Sequence, residues 1–222
     1  LAEMLPLVQA TGVLPQGIMG EHIFDNQAGQ VNEFADKLSE RYPDSFENPA
    51  SFELKLGEFY LSGQLEQLHE GGIFQYRMAK TKGNDLLALW LQHLVLNCVQ
   101  PKGIAKSSQL FTEDNEYEFA PVAEAESHLS TLLDYYWQGL HQPLAYIPNS
   151  SFAFAKASLN SGKASPDNKM FDAWNGGQFS NGDVGDDYYQ QIYQTAPLDE
   201  HFKQLAMAIF EPIQEHLVGG KL

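Results

Sequence analysis

Residues 61–98 read LSGQLEQLHEGGIFQYRMAKTKGNDLLALWLQHLVLNC, and no other stretch constrains the fold as strongly. Residues 62–68 alternate polar and apolar side chains, the period of a half-buried strand. Gly71 and Gly72 follow, and as glycines both can take positive φ without steric cost, which marks a hairpin turn. Residues 73–78 read as the return strand. Asn84 or Asp85 is placed to cap a helix. Beyond it Leu86, Leu87, Trp90, Leu91, Leu94, Val95 and Cys98 recur at helical spacing, and Leu89 and Leu96 widen the arc until little polar surface remains. A helix apolar nearly all round is a buried one. The expectation is a hairpin feeding a central helix, with the rest of the chain packed around that unit.

Before this unit, Pro6, Gly12, Pro15 and Gly17 break up residues 5–19, which read as an irregular leading segment. Asn26 caps a helix whose stripe is Val31, Phe34, Ala35 and Leu38, and Pro43 ends it. Phe52, Leu54 and Leu56 alternate with Glu53 and Lys55 in a strand. Gly57 bends or bulges that strand before Phe59, Tyr60 and Leu61 continue it. Three strands therefore precede the central helix.

After Cys98, residues 104–112 and 117–119 read as two strands joined by an acidic turn over 113–116. Pro121 suits the first position of a helix, with Val122, Ala125, Leu129, Leu132, Leu133, Tyr136 and Leu140 along one face. PLAYIPNSS leads to a short helix beginning at Asn149, Ser150 or Ser151. Residues 158–168 form a Ser/Gly/Pro-rich loop, and Met170 to Trp174 lie on a short helix that Gly176 and Gly177 end. Residues 181–187 are a turn with helix caps. Leu198, Phe202, Leu205, Ala206, Ile209 and Phe210 mark a last amphipathic helix, which Pro212 kinks or ends.

Charge narrows the function. The chain has 13 Lys plus Arg against 29 Asp plus Glu, a formal net charge of -16, and Arg41 and Arg77 are its only arginines. Duplex DNA is a dense polyanion whose binders carry a basic face, so the isolated chain is a poor general DNA binder. Its one tight basic cluster is Arg77, Lys80 and Lys82. One cysteine excludes an internal disulfide framework and fits a reducing compartment. No signal peptide and no apolar run of about 18 residues is visible, so no membrane is expected and the cytoplasm is the expected location. A chain that begins at Leu1 is read as a piece of a longer protein.

Motifs for independent chemistry are missing. The seven histidines (His22, His69, His93, His128, His141, His201, His216) show no H-E-x-x-H spacing. His93 reads as a hydrogen-bonded core residue and Cys98 as a small buried apolar group. The acidic runs at 113–116 and 181–187 lack the order of a calcium loop. There is no nucleophile elbow, phosphate loop or dinucleotide fingerprint. No metal and no cofactor is expected.

The glycine-bearing strand, hairpin, return strand and leucine-rich helix resemble the core of nucleases of the restriction-endonuclease, or PD-(D/E)XK, superfamily. In active members one carboxylate follows the strand glycine, and a second carboxylate and a lysine lie on the return strand. The carboxylates hold Mg²⁺, which polarises the phosphodiester and activates water, while the lysine stabilises developing negative charge. The matching positions here are Leu65, Gln75 and Arg77. A leucine cannot ligate a hard cation and a neutral amide is a poor substitute, so the resemblance implies a degenerate site. Glu66 and Glu70 lie close by, Glu66 on the other face of its strand and Glu70 at the turn.

The segment GGIFQYRMAKTKGNDLLALWLQHLVLN is further similar to the RecC-type C-terminal domain, part of the gamma chain of exodeoxyribonuclease V. The opening Leu-Pro-Gly pattern, PLAYIPNSSFAFAKA, and the tail segments GDVGDDYYQQIY and PLDEHFKQLA agree with it. This resemblance implies an α/β (α+β) fold with a restriction-endonuclease-like core, a mixed sheet flanked by helices. It implies one nuclease-like domain over 1–222, with a leading segment and helix at 1–43, the core at 50–141 and a helical tail at 142–222. The domain would be noncatalytic and would assemble with the beta (RecB) and alpha (RecD) chains in a heterotrimeric helicase complex. There it would help separate and guide DNA strands for double-strand-break repair by recombination. Arg77, Lys80 and Lys82 are the candidate DNA contacts, and Tyr188, Tyr189, Tyr193, Phe202 and Phe210 the candidate partner contacts. Two alternatives stand beside this reading: an active nuclease with carboxylates displaced to Glu66 or Glu70, and an acidic protein-interaction domain unrelated to DNA.

Overall fold

A computed structural model describes residues 2–160, 162, 164–178 and 181–222. The chain divides between Asp44 and Ser45 into two compact units. The first holds a 3-10 turn, Ala2–Met4, and two helices, α1 (Leu5–Ala10) and α2 (Ile18–Ser39). The leading segment is thus more regular than its prolines and glycines suggest. Pro6 falls in the first turn of α1, where no N–H is needed. Helix α2 starts eight residues before Asn26. Gly17 opens it at φ 74°, and a side chain on Gly20 would lie 2.0 Å from the Pro15 carbonyl oxygen. Glycine at both positions, rather than an Asn cap, sets the start.

In the second unit, β1 (Ala50–Leu56) and β2 (Phe59–Leu65) pair antiparallel with Leu56 opposite Phe59. Gly57 at φ 61° is therefore the first residue of a two-residue hairpin turn and not a bend in one strand. The alternation in β1 survives in the fold: Phe52, Leu54 and Leu56 face inward and Glu53 and Lys55 outward.

The next strand is shorter than its pattern. Gln67 adopts φ 55°, the left-handed region, which breaks the run after Leu65. At the next residue β3 (Leu68–His69) opens a second hairpin with β4 (Gly72–Arg77), pairing Leu68 with Ile73. A hairpin forms where expected, but its turn is Glu70–Gly71 and Gly72 already lies in β4, and four strands rather than three precede the central helix. Gly72 is irreplaceable by geometry: its φ is 120°, and a Cβ there would meet the Ser107 carbonyl oxygen at 1.9 Å.

The central helix, α3 (Gly83–Val99), begins one to two residues before the expected caps. Asp85 still closes its first turn, accepting the Lys82 N–H at 2.9 Å from the third helical position. Leu86, Leu89, Trp90, His93, Leu94, Val95, Leu96 and Asn97 are all buried. Helix α3 leads into β5 (Ser108–Thr112), which runs parallel to β4, the crossover a parallel pair requires. Strand β6 (Glu116–Phe119) returns antiparallel, completing a mixed sheet of order β3-β4-β5-β6.

Among the described residues five more α-helices follow: α4 (Ala125–His141), α5 (Pro148–Leu159), α6 (Pro166–Asn175), α7 (Asp187–Ile192) and α8 (Glu200–His216). Ser161 and Lys163, within the expected 158–168 loop, lie outside the described residues. Pro121 precedes α4 by four residues instead of opening it, because the Val122 N–H is drawn to Asn97 Oδ1 at 3.0 Å. Pro212 sits inside α8 without ending it: Phe210 and Ile213 on either side are fully buried, and packing overrides the lost hydrogen bond. Helix α3 contacts β2, β5, α4, α5 and α8, so the main core forms around it. Ile147, Phe154, Met170, Trp174, Leu198, Phe202 and Ala206 make a second, smaller core among the C-terminal helices.

Candidate functional site

On β4, Gln75 and Arg77 are two residues apart and share a face, which looks onto α3. Gln75 donates from Nε2 to Gln92 Oε1 at 2.9 Å. Arg77 donates from Nη1 to both carboxylate oxygens of Asp85. The carboxylate beside the return strand is therefore committed twice, to an ion pair and to the first turn of α3. Leu65 is 1% exposed and belongs to the main core. It lies at the end of β2, in a different sheet from Gln75 and Arg77, because the chain breaks at Gln67. Glu66 and Glu70 are exposed. Among the described residues no three His, Cys, Asp or Glu side chains are grouped to hold a metal ion.

The segment after β4 is tied to the β5–β6 turn. Asp114 Oδ1 accepts the Thr81 N–H at 2.8 Å and the Thr81 hydroxyl at 3.0 Å. Partial burial pushes the Asp114 carboxyl up, yet the hydrogen bonds from Thr81 and Thr112 outweigh it and hold the group below the usual carboxylate range. The acidic turn thus acts as a clamp as well as a solvated tip. Lys80 and Lys82 flank Thr81 and are exposed, while Arg77 is half-buried against Asp85. Lys82 also lines a polar cavity of about 500 Å³ together with Asn149, Asp172 and Gly182.

The candidate partner contacts separate by burial. Tyr188 is 74% exposed, whereas Phe202 and Phe210 are fully buried, in the second and the main core respectively. Helix α8 turns its aromatic face inward, so these two phenylalanines have no surface to offer. Tyr189 packs on Trp174, and the Tyr193 hydroxyl donates to the Leu144 carbonyl at 3.0 Å.

His93 is buried as expected. Its Nε2–H donates to the Ala120 carbonyl at 3.0 Å, which leaves Nδ1 to accept from the Ser108 hydroxyl at 2.9 Å. Burial pulls its pKa down to about 4, against a raising effect of the Ala120 bond. Cys98 is half-buried rather than buried, and burial pushes its thiol up to about 11.

Two features escaped the linear reading. Asp183 is buried and accepts the Ser150 N–H and hydroxyl and an Asn149 amide hydrogen. It caps α5 from a distant loop. The available signal was negative: the cap position of α5 is Ile147, whose side chain accepts nothing. The second feature is an apolar groove of about 730 Å³ between α3, α4 and α8, lined by Leu87, Leu91, Leu133, Tyr136, Leu140 and Ile209 among others. Its signal was the apolar face of α4, which runs past the length its neighbours cover.

Comparison with known proteins covers nearly the whole chain. The RecC C-terminal domain family matches residues 1–159. The chain is 24% identical over 217 residues, 93% of its length, to the RecBCD enzyme subunit RecC of Buchnera aphidicola subsp. Schizaphis graminum (strain Sg), covering 20% of that protein. It is 27% identical over 199 residues, 84% of its length, to the RecBCD enzyme subunit RecC of Escherichia coli (strain K12), covering 17% of that protein. The chain therefore spans about a fifth of the length of the curated relatives it matches.

Proposed function

Since the chain belongs to the RecC C-terminal domain family, we propose that it is a noncatalytic domain of a RecBCD-type enzyme, an exodeoxyribonuclease V. It assembles with beta and alpha chains and helps separate and guide DNA strands during double-strand-break repair by recombination. The observation that carries this reading is the family match together with similarity to two RecC subunits over 84% or more of the chain.

The site geometry supports the noncatalytic part. A hairpin, a buried helix and a strand parallel to the return strand follow the order of a nuclease-like core. At the three positions where such a core carries its chemistry stand a buried leucine, an amide bound to Gln92, and an arginine bound to Asp85. Arg77 is held by Asp85, a carboxylate on α3 and not at either position where the resemblance implies a metal ligand. Lys80 and Lys82, exposed beside this degenerate site, are the proposed phosphate contacts, and Tyr188 the proposed partner contact. With a net charge of -16, a small patch on a domain held in a complex is the favourable way to meet DNA.

The test is co-expression with beta and alpha chains of one source, affinity capture and size exclusion. Stoichiometric retention of either chain at moderate salt is the expected result. A folded domain that retains neither overturns the assembly role. Mg²⁺- or Mn²⁺-dependent cleavage that disappears in Glu66→Gln or Glu70→Gln would replace this reading with an active nuclease.

A further inference from the structure

Three imidazoles gather around one buried indole. Trp90 on α3 is 1% exposed. Its ring centroid lies 5.7 Å from that of His93 on the same helix, 5.8 Å from His128 of α4 and 5.3 Å from His216 of α8. The centroids of His128 and His216 are 5.6 Å apart, with the rings nearly perpendicular. Phe119 of β6 closes the group, 5.2 Å from both Trp90 and His93.

The cluster is built into a seam. Strand β6 is an edge of the mixed sheet, and the end of α8 with the residues after it lies along that edge. The Ala120 N–H donates to the His216 carbonyl at 3.0 Å and the Val218 N–H to the Glu118 carbonyl at 2.8 Å, on either side of a bridge between Phe119 and Leu217. His93 holds the same edge from inside, through the Ala120 carbonyl. His216 donates from Nδ1 to the Pro212 carbonyl at 2.8 Å, which fixes its ring against the last turn of α8. His216 therefore belongs to the seam through its backbone and to the imidazole cluster through its ring.

Charge sets how the seam responds to acid. Burial holds His128 below the ordinary histidine range and a charge on His216 lowers it further, while Glu124 and Glu215 act in the opposite direction. His93, at about 4, is lowered mainly by burial, with the Ala120 bond opposing and His216 adding to the effect. The carboxylates that face the pair are thus Glu124, at the start of α4, and Glu215 of α8. The Glu118 carboxylate of β6 is engaged elsewhere, accepting from the Ser107 hydroxyl at 3.2 Å. A first proton on His128 or His216 meets these two carboxylates and the indole, which accommodates one cation. A second proton puts like charges on half-buried rings 5.6 Å apart, against a buried indole.

We propose that His128 and His216, packed on Trp90, form an acid-sensitive latch, which holds the end of α8 on β6 while the rings are uncharged and releases it when both are charged. What opens is the outer edge of the mixed sheet, and α3 stays folded. The latch is local, and it stands independently of the assembly role and of any path for DNA.

The test follows backbone amide exchange by NMR in the 222-residue chain, as protection factors corrected for intrinsic rates, at about pH 7 and about pH 5, which bracket the ordinary histidine range. Ala120 and Val218 donate the two seam bonds, and Leu94 and Val95 report the centre of α3. The ratio of seam to α3 protection removes any change in global stability, because the amides of α3 exchange only when the core opens. This ratio is expected to fall at least about tenfold between the two conditions. His128→Gln and His216→Gln each alter a half-buried position, so circular dichroism should show the fold retained, and in each the ratio should change less than about twofold with pH. A ratio in the original chain that is the same at both pH values overturns the latch, since the seam then opens only with the whole core. A fall that persists undiminished in both glutamine variants overturns it as well, by assigning the response to other groups.

Discussion

Asp183 holds Ser150 by two hydrogen bonds, from the backbone N–H at 2.8 Å and the hydroxyl at 2.6 Å, across 33 residues of sequence. A third bond comes from Asn149 at 2.7 Å. The carboxylate sits at the positive end of α5, whose own cap position is the apolar Ile147. One side chain therefore ties the loop before α7 to the start of α5.

Asp183→Ala should lower unfolding stability by about 2–3 kcal/mol, the range for losing charged hydrogen bonds to buried donors. Asp183→Asn keeps an acceptor and should lose roughly half as much. Denaturant midpoints measure both, and an alanine loss below about 0.5 kcal/mol would show that α5 does not depend on this cap.

The neutral His93 imposes an acid limit. Folded, it takes up its proton near pH 4, whereas an unperturbed histidine does so near 6.5. Its contribution is therefore complete above pH 6.5 and is lost as pH falls towards 4, about 3 kcal/mol in all. His69 and His128, both lowered by burial, act in the same direction. Urea midpoints should fall over this interval, and His93→Gln should flatten the slope while lowering stability at pH 7. An unchanged slope in that variant would assign the acid sensitivity elsewhere.

Placing a carboxylate at Leu65, in the proposed degenerate site, should unfold the domain before it creates activity. Leu65 is 1% exposed, so Leu65→Asp both removes a packed side chain and buries an unpaired charge. The expected loss exceeds about 4 kcal/mol. Thermal melting of Leu65→Asp beside the isosteric Leu65→Asn separates the charge from the lost packing. A stable Leu65→Asp variant would show that this position is open to solvent or a cation.

Lys80→Ala with Lys82→Ala should weaken DNA binding by the assembled complex without changing its assembly. If both are the proposed phosphate contacts, their removal reduces the dependence of log affinity on log salt by about 2. Affinities measured across a salt series decide this, and an unaltered slope removes both lysines from the interface.

The sequence carries local chemistry well. The β3–β4 hairpin, the buried α3, the β5–β6 hairpin and the short α5 all follow from periodicity and turn residues close together in the chain. It was less decisive where two local outcomes share one pattern. Phe-Glu-Leu-Lys-Leu-Gly-Glu-Phe suits a bulged strand as well as a hairpin, and only the pairing of Leu56 with Phe59 separates them. Likewise Phe202 and Phe210 give α8 an apolar face without saying whether the protein or a partner fills it.

The proposed degenerate site divides along the same line. The identities of Leu65, Gln75 and Arg77 are read from the chain itself, because side-chain chemistry is a property of residues. That Arg77 closes on Asp85 and Gln75 on Gln92, that Asp183 caps α5, and that Tyr136 and Leu140 overhang their neighbours were decided only by the tertiary structure. Periodicity reports which face of an element is apolar. Whether that face is covered depends on the lengths and crossing of elements far apart in sequence, which no local pattern records.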